Sequence, residues 1–312
     1  MQLLPNPLSS MTVAEQIGGV HGGPEQRLTH VAGLDQDHPG RLVFSQKLSG
    51  GQGCVLVSEP VEGTHIVVAD PKGSFIQFLE QVFGDGRPIA GRHPTAVAPE
   101  GIPQSVHLGP YSVIQATAVL HQGVVIGAGA VIGAGCEIGP GTWIHPKVVL
   151  YPGVLVGADC QIHAGSILGG PGFGLHPGAN GLSPIPHIGR LILGNGVHVG
   201  ANCTVDRAFI SATTLGDGVM LDNQVHIGHN CRIGDGSIIA AQTGLSGSVT
   251  LERGVILAGQ VGVVDHVNIG AQAQVGAGSG VMRDVPSGCA VLGSPADLRV
   301  RTLRRWAGWL KG

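Results

Sequence analysis

Three residues in the second half of the sequence have the types and the spacing that acyl-transfer chemistry needs. His229 stands in LDNQVHIGHN, Gly247 follows 18 residues later in GLSGS, and His266 lies 37 residues after His229. An imidazole can take a proton from a nucleophile, and a backbone N–H that no side chain covers can stabilise an oxyanion. A lone exposed histidine is more often plain solvated surface, so the interpretation depends on a fold that brings the three residues together.

A six-residue period predicts such a fold. Every sixth residue is a branched aliphatic over residues 114–168, 193–205 and 215–281, which makes 25 hexads. A period of six fits neither a helix nor a simple alternating strand, but it fits a short strand and a tight corner with one side chain pointing inward. Three such sides form an 18-residue coil, so residues 18 apart stack on one edge and about eight coils are expected.

The period resembles the hexapeptide repeat of left-handed parallel β-helices, and this resemblance alone implies the left-handed sense. The expected fold is mainly β, with a left-handed parallel β-helix over residues 106–292. Residues 1–105 lack the period and mix helix-like with strand-like segments, which predicts a small N-terminal α/β domain. Residues 293–312 follow a Ser-Pro start signal and carry apolar residues at helical spacing, which predicts a short C-terminal helix.

The composition argues against several classes of protein. Charged residues make up 12% of the chain and hydrophobic residues 43%, whereas disordered sequences are rich in charge and poor in aliphatic residues. The net charge of -3 gives no chain-wide basic surface for binding nucleic acid. No apolar stretch reaches membrane-spanning length and the first residues lack signal-peptide features, so the cytoplasm is the expected compartment. No cysteines form a Cys-x-x-Cys pair, and four of them fall where the hexads expect a small core side chain: Cys136, Cys160, Cys203 and Cys231.

Departures from the repeat are concentrated between residues 169 and 266. They are the insertion GGPGFGLHPGANGLSPIPHIGR, a four-residue slip at RAFISAT, and LDNQVHIGHN. Together with MTVAEQIGG, HPGRLVF, TVDRA and the closing GSPA, these segments closely resemble the UDP-3-O-acylglucosamine N-acyltransferase of lipid A biosynthesis along nearly the whole chain.

This resemblance implies an N-acyltransferase. It would move a 3-hydroxyacyl group from acyl carrier protein, where phosphopantetheine holds it, to the 2-amino group of UDP-3-O-acylglucosamine. The resemblance also implies a homotrimer with active sites between adjacent subunits, and it requires neither a cofactor nor a metal ion.

The resemblance further assigns a role to individual residues. His229 is expected to be the general base, Gly247 to supply the oxyanion N–H, and His266 to line the site and help hold substrate. Asn223 and Asp222 are plausible helpers, although Asp222 could equally satisfy backbone amides at a corner.

Two aromatic residues are expected to bind the substrate. Phe44 is the candidate to stack on uracil in a uridine-binding N-terminal domain, although its segment, VFSQKL, departs from the aromatic-rich pattern of the family. Phe173 is retained in the insertion, where GPGFGL stands in place of SDGFGF.

Two alternatives stay open from the sequence, and a third, metal catalysis, is disfavoured. An O-acyltransferase acting on UDP-N-acetylglucosamine shares the hexads and a histidine base, but it lacks an N-terminal domain of this kind. A non-catalytic nucleotide-sugar-binding paralogue would explain the altered VFSQKL segment, but it would need neither His229 nor Gly247. A zinc enzyme of the hexapeptide class has two histidines five residues apart, and this sequence has no such pair.

The end of the chain is basic. Residues 296–312 hold four arginines and Lys311 against one acid, Asp297. Such a run is usually a solvated face, but acyl carrier proteins are acidic and a basic patch would steer them toward the site.

Overall fold

The computed structural model describes residues 2–33, 37–45, 53–84, 86–178 and 181–309. The chain forms two compact units, Met1–Arg87 and Pro88–Gly312. Within the described residues, none of the helices has the length and apolar character that crossing a bilayer requires.

The N-terminal unit is a six-stranded mixed sheet with two helices, α1 (Ser10–Gln16) and α2 (Pro71–Phe83). The sheet has the order β1-β3-β4-β5-β6-β2, with antiparallel strands at its two edges and parallel pairs between them. Its strands are β1 (Gln2–Ser9), β2 (Val20–Gly22), β3 (Arg27–Val31), β4 (Arg41–Phe44), β5 (Cys54–Val57) and β6 (His65–Val67).

Helix α2 covers the core of this unit. Asp70 caps its first turn, because its Oδ1 accepts the Gly73 N–H at 3.0 Å. Pro71 fits the first helical position, where no N–H donor is needed. Phe78 is fully buried and joins Leu42 and other aliphatic residues in one cluster, so the unit is of the α/β type.

The second unit is a solenoid whose strands fall on three walls. Wall A consists of β7 (Gly91–Arg92), β8 (His107–Leu108), β11 (Val125–Ile126), β14 (Trp143–Ile144), β17 (Gln161–Ile162), β22 (His198–Val199), β25 (Met220–Leu221), β28 (Ile238–Ile239), β31 (Ile256–Leu257), β34 (Gln274–Val275), β36 (Ala290–Leu292) and β37 (Asp297–Leu298). Wall B consists of β9 (Val113–Ile114), β12 (Val131–Ile132), β15 (Val149–Leu150), β18 (Ile167–Gly170), β23 (Thr204–Asp206), β26 (His226–Ile227), β29 (Gly244–Leu245), β32 (Gly262–Val263) and β35 (Gly280–Val281). Wall C consists of β10 (Val119–Leu120), β13 (Glu137–Ile138), β16 (Leu155–Val156), β21 (Arg190–Leu193), β24 (Ala212–Leu215), β27 (Arg232–Ile233), β30 (Thr250–Leu251) and β33 (Asn268–Ile269).

The hexad aliphatics form the core of this unit. Ile126, Ile132 and Ile138 are fully buried, and each pairs in parallel with the aliphatic residue 18 positions later. Burial of each such side chain contributes about 1.5–3 kcal/mol. The parallel β-helix predicted from the six-residue period is confirmed, and the cysteines predicted to be small core side chains are buried and unpaired.

The number of coils predicted from the hexads was wrong. The solenoid has about 11 turns rather than eight, because coils at both ends lie outside the range 114–281 over which the hexads were counted: Leu108 continues the six-residue spacing upstream of Ile114, and β36 continues the wall A ladder downstream of Val281. At the N-terminal end Gly91–Arg92 already pairs with His107–Leu108, so the solenoid begins upstream of residue 106. At the other end Ala290–Leu292 pairs with Gln274–Val275.

The C-terminal helix starts later than the Ser-Pro signal predicts. Helix α3 spans Arg299–Trp309, and the short strand β37 precedes it and runs antiparallel to β36. The buried Thr302 fixes the helix to the solenoid by donating from Oγ1 to the Leu292 carbonyl at 2.9 Å. The remainder of the segment predicted as helix, residues 310–312, lies outside the described residues.

Candidate functional site

The insertion, the slip and the three candidate residues lie along one edge of the solenoid, where the chain turns from wall B to wall C. The insertion (residues 171–189) follows β18, and the slip (residues 207–211) follows β23 in the next coil. His229, Gly247 and His266 occupy the corners of the three coils after that. Five successive corners of this edge therefore carry the insertion, the slip, His229, Gly247 and His266 in turn.

Hydrogen bonds to the slip hold the insertion at both of its ends. Arg207 in the slip holds the N-terminal end, because its Nε donates to the Gly169 carbonyl at 2.6 Å. At the C-terminal end, the Ile188 N–H donates to the Phe209 carbonyl at 2.9 Å. The part between forms a hairpin of β19 (Leu175–Gly178) and β20 (Gly181–Pro184).

The imidazole of His229 is confined on three sides. A Cβ atom at Gly247 would lie 2.6 Å from its Cε1, and a Cβ atom at Gly172 of the insertion would lie 2.8 Å from its Cδ2, so only glycine fits at these positions. On the third side, Nδ2 of Asn230 donates to Nδ1 of His229 at 3.1 Å. Oδ1 of Asn230 accepts the Phe209 N–H at 2.9 Å, and this second bond fixes the orientation of the amide.

The electrostatic surroundings of His229 favour its neutral form. Burial lowers the pKa of His229, and positive charge on His187 lowers it further. The backbone carbonyl of Phe173 acts in the opposite direction, and His266 adds a smaller lowering of the pKa. An imidazole with a lowered pKa is unprotonated, and so able to act as a base, at neutral pH.

The Gly247 N–H is available to a ligand. At several other corners a side chain accepts the backbone N–H of the equivalent residue; for example, Asn195 accepts the Ala158 N–H at 2.8 Å and Asp235 accepts the Asp217 N–H at 2.9 Å. Among the described residues, the Gly247 N–H has no hydrogen-bond partner. A backbone donor left free beside a histidine is what an oxyanion site requires.

A cleft of about 710 Å³ opens beside these two residues. Its floor on wall B includes three glycines stacked in successive coils, Gly244, Gly262 and Gly280. A Cβ atom at Gly244 or Gly262 would meet nothing within 4 Å, so the floor is open. Val264 and Met282 add apolar surface beside it. The cleft therefore combines one polar end with an apolar trough.

Three further ionisable residues lie at the polar end, and the sequence analysis missed them. His226 and Asp206 line the cleft with 3.9 Å between Nε2 and Oδ2. His187 is buried, donates from Nδ1 to the Ile185 carbonyl at 2.9 Å, and lies with its ring centroid 5.0 Å from that of His229. The motifs TVDRA and IPHIGR contained two of these residues, but their spacing to His229 is not a multiple of 18.

The structure brings four of the predicted site residues together, because His229, Gly247, His266 and Phe173 all line the cleft. The side chain of His266 is 76% exposed, and Phe173 is also exposed.

Three of the predicted site residues are not among those that line this cleft. Asp222 and Asn223 occupy a corner between walls A and B, where Asp222 accepts the Ala241 N–H at 3.2 Å and Asn223 accepts the Ala201 N–H at 2.7 Å. Phe44 belongs to the N-terminal unit, where its ring packs 5.0 Å from that of Phe75. The residues Gln46, Lys47 and Leu48 of its segment lie outside the described part of the chain.

Metal ligands are not assembled in the described residues, since no three histidine, cysteine or acidic side chains there are placed to hold an ion. Three histidines of wall A, His145, His163 and His198, pack ring against ring with neighbouring centroids 4.3 and 4.6 Å apart, and they are not among residues placed to hold an ion.

Comparison with known proteins agrees with the repeat. Residues 135–170 and 212–247 match the family model described as bacterial transferase hexapeptide (six repeats). Curated relatives named UDP-3-O-acylglucosamine N-acyltransferase include one from Caulobacter sp. (strain K31), 43% identical over 50% of this chain and 46% of the relative. Another, from Methylobacterium nodulans, is 44% identical over 49% of this chain and 42% of the relative. The resemblance inferred from the motifs is thus confirmed over about half of this chain, and the matched part spans less than half of the relatives' own length.

Solved structures share the architecture over a larger part of the chain. The UDP-N-acetylglucosamine acyltransferase of Arabidopsis superposes with a TM-score of 0.57 at 28% identity, covering 70% of this chain and 75% of the other. The UDP-N-acetylglucosamine O-acyltransferase of Moraxella catarrhalis gives a TM-score of 0.57 at 24% identity, covering 69% and 77%, and shows the fold alone.

Proposed function

We propose that this protein is an N-acyltransferase that moves a 3-hydroxyacyl group from acyl carrier protein to the 2-amino group of UDP-3-O-acylglucosamine, as a step of lipid A biosynthesis. The observation that carries the proposal is the stacking of the His229 imidazole over Gly247, whose backbone N–H is free. The curated relatives named for this activity support the choice of substrate.

In the proposed reaction, His229 and Gly247 act on the same carbonyl group. The sugar amine attacks the thioester carbon, a C–N bond forms, and the negative charge that develops on oxygen is stabilised by the Gly247 N–H. An imidazole nitrogen of His229 takes the proton that the nitrogen loses, and returns it to the departing thiolate as the C–S bond breaks. Of the two ring nitrogens, Nε2 lies nearer to the position of a Cβ atom at Gly247, so Nε2 is the nitrogen that accepts the proton in this proposal. The proton that the neutral ring already carries must then be on Nδ1, which requires Asn230 to break its hydrogen bond to that nitrogen.

The glycine floor of the cleft is the proposed binding surface for the acyl chain. Gly244, Gly262 and Gly280 extend away from His226 along wall B with one coil, about 4.8 Å, between successive residues. An alkyl chain lying on backbone and flanked by Val264 and Met282 would lose its contact with water, which is favourable for an apolar group.

The remaining parts of the proposal concern partners. We expect a homotrimer, in which Asp222 and Asn223 would reach a site on a neighbouring subunit, and we expect Phe44 to stack on the uracil ring. Phosphopantetheine would arrive on acyl carrier protein, steered by the basic residues around helix α3.

An O-acyltransferase acting on UDP-N-acetylglucosamine is the second candidate. The observation in its favour is the likeness to the Arabidopsis enzyme over 70% of this chain. The two candidates differ in the nucleophile, which is an amine in one reaction and a hydroxyl in the other.

The test is an assay of the purified protein with a 3-hydroxyacyl carrier protein and either UDP-3-O-acylglucosamine or UDP-N-acetylglucosamine, scored by product mass. We expect acylation of the amine substrate and a loss of about two to four orders of magnitude in His229→Ala. His121→Ala is the control, since His121 contacts Glu137 on wall C outside the cleft and its loss should leave the rate unchanged. Product from the second substrate alone would favour the O-acyltransferase, and equal rates for folded wild type and His229→Ala would overturn the role of His229.

A further inference from the structure

A second pair of ionisable side chains shares the cleft with His229, and the mechanism above gives it no role. The side chain of His226 is 49% exposed and that of Asp206 15%, so both can be reached from the cleft. The other titratable groups around them are His187 and the buried thiol of Cys231, which both interact with Asp206, and His229, Asp265 and His266 along the cleft.

The distance within the pair suits a bridging donor. His226 Nε2 and Asp206 Oδ2 are 3.9 Å apart, which is too long for a direct hydrogen bond. A cationic nitrogen placed between them could donate to each at about 2.8 Å, the usual length of a charge-assisted bond.

Thr204 can hold His226 in the tautomer that this role requires. Its Oγ1 lies 2.8 Å from Nδ1 of His226 and can accept the proton of that nitrogen. The neutral ring then has a lone pair on Nε2, the nitrogen that faces Asp206.

The surroundings of Asp206 also favour a cation. Burial raises the pKa of Asp206, and the positive charges that His226 and His187 can carry act in the opposite direction. A carboxylate with little water around it is stabilised when a positively charged group arrives. An amine substrate provides such a group whenever it is protonated.

Acylation of an amine requires the loss of two protons when the amine binds as an ammonium ion. An ammonium nitrogen has no lone pair, so one proton must leave before the nitrogen can attack, and a second leaves during the attack. His229 accounts for the second proton only, because it returns that proton to the thiolate.

We propose that Asp206 and His226 form the receiving pair for the ammonium form of the substrate amine, which Asp206 holds and His226 deprotonates before His229 acts. This inference rests on the proposed N-acyltransferase function. In the step, one N–H bond of the ammonium breaks and its proton passes to Nε2 of His226, giving an imidazolium beside the Asp206 carboxylate. The free amine then attacks, and the imidazolium releases its proton to solvent through the exposed side of the ring.

The experiment measures kcat/KM for the amine substrate against pH in wild type, Asp206→Asn and His226→Gln. The amine's own pKa is determined by titration of the free substrate. Above that pKa the variants should lie within about threefold of wild type, since the amine arrives neutral. At pH values below the pKa of the amine, the ratio of variant to wild-type kcat/KM should fall roughly tenfold for each pH unit. The variants can use only the unprotonated amine, and its fraction decreases tenfold with each unit. Thr204→Val should show a weaker form of the same profile.

His121→Gln is the matched control, because it removes a histidine from a histidine–carboxylate pair on wall C, with 2.9 Å between His121 Nε2 and Glu137 Oε1. Circular dichroism and oligomer size establish that each variant is folded. A variant-to-wild-type ratio that is the same at every pH would overturn the receiving pair and leave the N-acyltransferase intact. If wild type acylates no amine at any pH, the proposed function itself has failed.

Discussion

The imidazole of His229 occupies the space that a side chain at Gly247 would need. The two residues are 18 positions apart and stand at the same corner of successive coils, and a Cβ atom at Gly247 would lie 2.7 Å from His229 Nε2. The backbone of one coil thus supports the ring of the coil before it. Proton transfer and oxyanion stabilisation are placed on the same side of the cleft by this one stacking contact.

Gly247→Ala should reduce turnover while leaving the protein folded. The added methyl group must displace the His229 ring, since the contact is shorter than carbon atoms tolerate. A shift of about 1 Å in a catalytic group can cost about a hundredfold in rate, and we expect a loss of that order in kcat. The measurement is kcat and KM beside circular dichroism. A folded Gly247→Ala protein with wild-type kcat would show that the position of the ring is unimportant.

The pH dependence of catalysis should reflect the lowered pKa of His229. Burial lowers that pKa, so the ring stays neutral, and catalytically competent, to a lower pH than an exposed histidine with its pKa near 6.5. Activity should therefore fall on acidification only below pH 6.5. Positive charge on His187 adds to the lowering, so His187→Gln should move the acid limb of kcat to higher pH.

The comparison is a pH–rate profile of wild type and His187→Gln with a saturating substrate. His176→Gln is the control for surface charge, since His176 is exposed on strand β19 and does not line the cleft. Two results would contradict the assignment of His229 as the titrating base. One is a wild-type rate that already falls above pH 6.5 on acidification, and the other is an acid limb that moves to lower pH in His187→Gln.

The sequence could predict the solenoid because each coil repeats the same physical requirement, an aliphatic side chain that must point inward at Ile126, Ile132 and every equivalent position. It could also predict the stacking of His229 on Gly247, since the coils between them are regular. It could not predict that His226 meets Asp206 and Thr204. The slip at residues 207–211 adds four residues, so that Thr204 pairs with His226 at a spacing of 22. Pairing residues at the regular spacing of 18 therefore does not identify these contacts.

Some of the arginines in the basic C-terminal segment are paired with an acidic side chain and are not available to another molecule. Asp297, with its side chain 12% exposed, lies 3.0 Å from Arg305 and 3.8 Å from Arg301. Hydrogen bonding to the Leu298 N–H lowers the pKa of Asp297, and the nearby arginines lower it further, so it stays ionised. Within the described residues Arg304 has no such partner, so its charge is available to another molecule.

Arg304→Glu should therefore raise KM for the acyl carrier protein without changing kcat, and the increase should be larger at low ionic strength because screening is weaker there. We expect about a tenfold increase at low salt. Lys147→Glu, a charge reversal at an exposed corner distant in sequence from helix α3, is the control. An Arg304→Glu protein with unchanged KM at every salt concentration would exclude this face as the site of carrier docking.

Three histidines form a column on wall A, outside the cleft. The ring centroids of His145 and His163 are 4.3 Å apart and those of His163 and His198 4.6 Å apart, and Trp143 stacks on His145 at 4.2 Å. Burial, together with the charges that His163 and His198 can carry, lowers the pKa of His145 to about 4. Burial also lowers the pKa of His163. His145 and His163 are therefore packed as neutral rings.

This column should make the fold sensitive to acid. The unfolded chain binds a proton at His145 below pH 6.5, whereas the folded chain resists protonation until about pH 4, so the free energy of unfolding must fall as the pH drops through that window. Because these rings are partly exposed, we expect the midpoint of thermal unfolding to fall by a few degrees between pH 7 and pH 5 at fixed protein concentration. His145→Asn should reduce this fall, whereas His121→Asn, outside the column, should not. An equal fall in wild type and His145→Asn would show that the column does not govern acid stability.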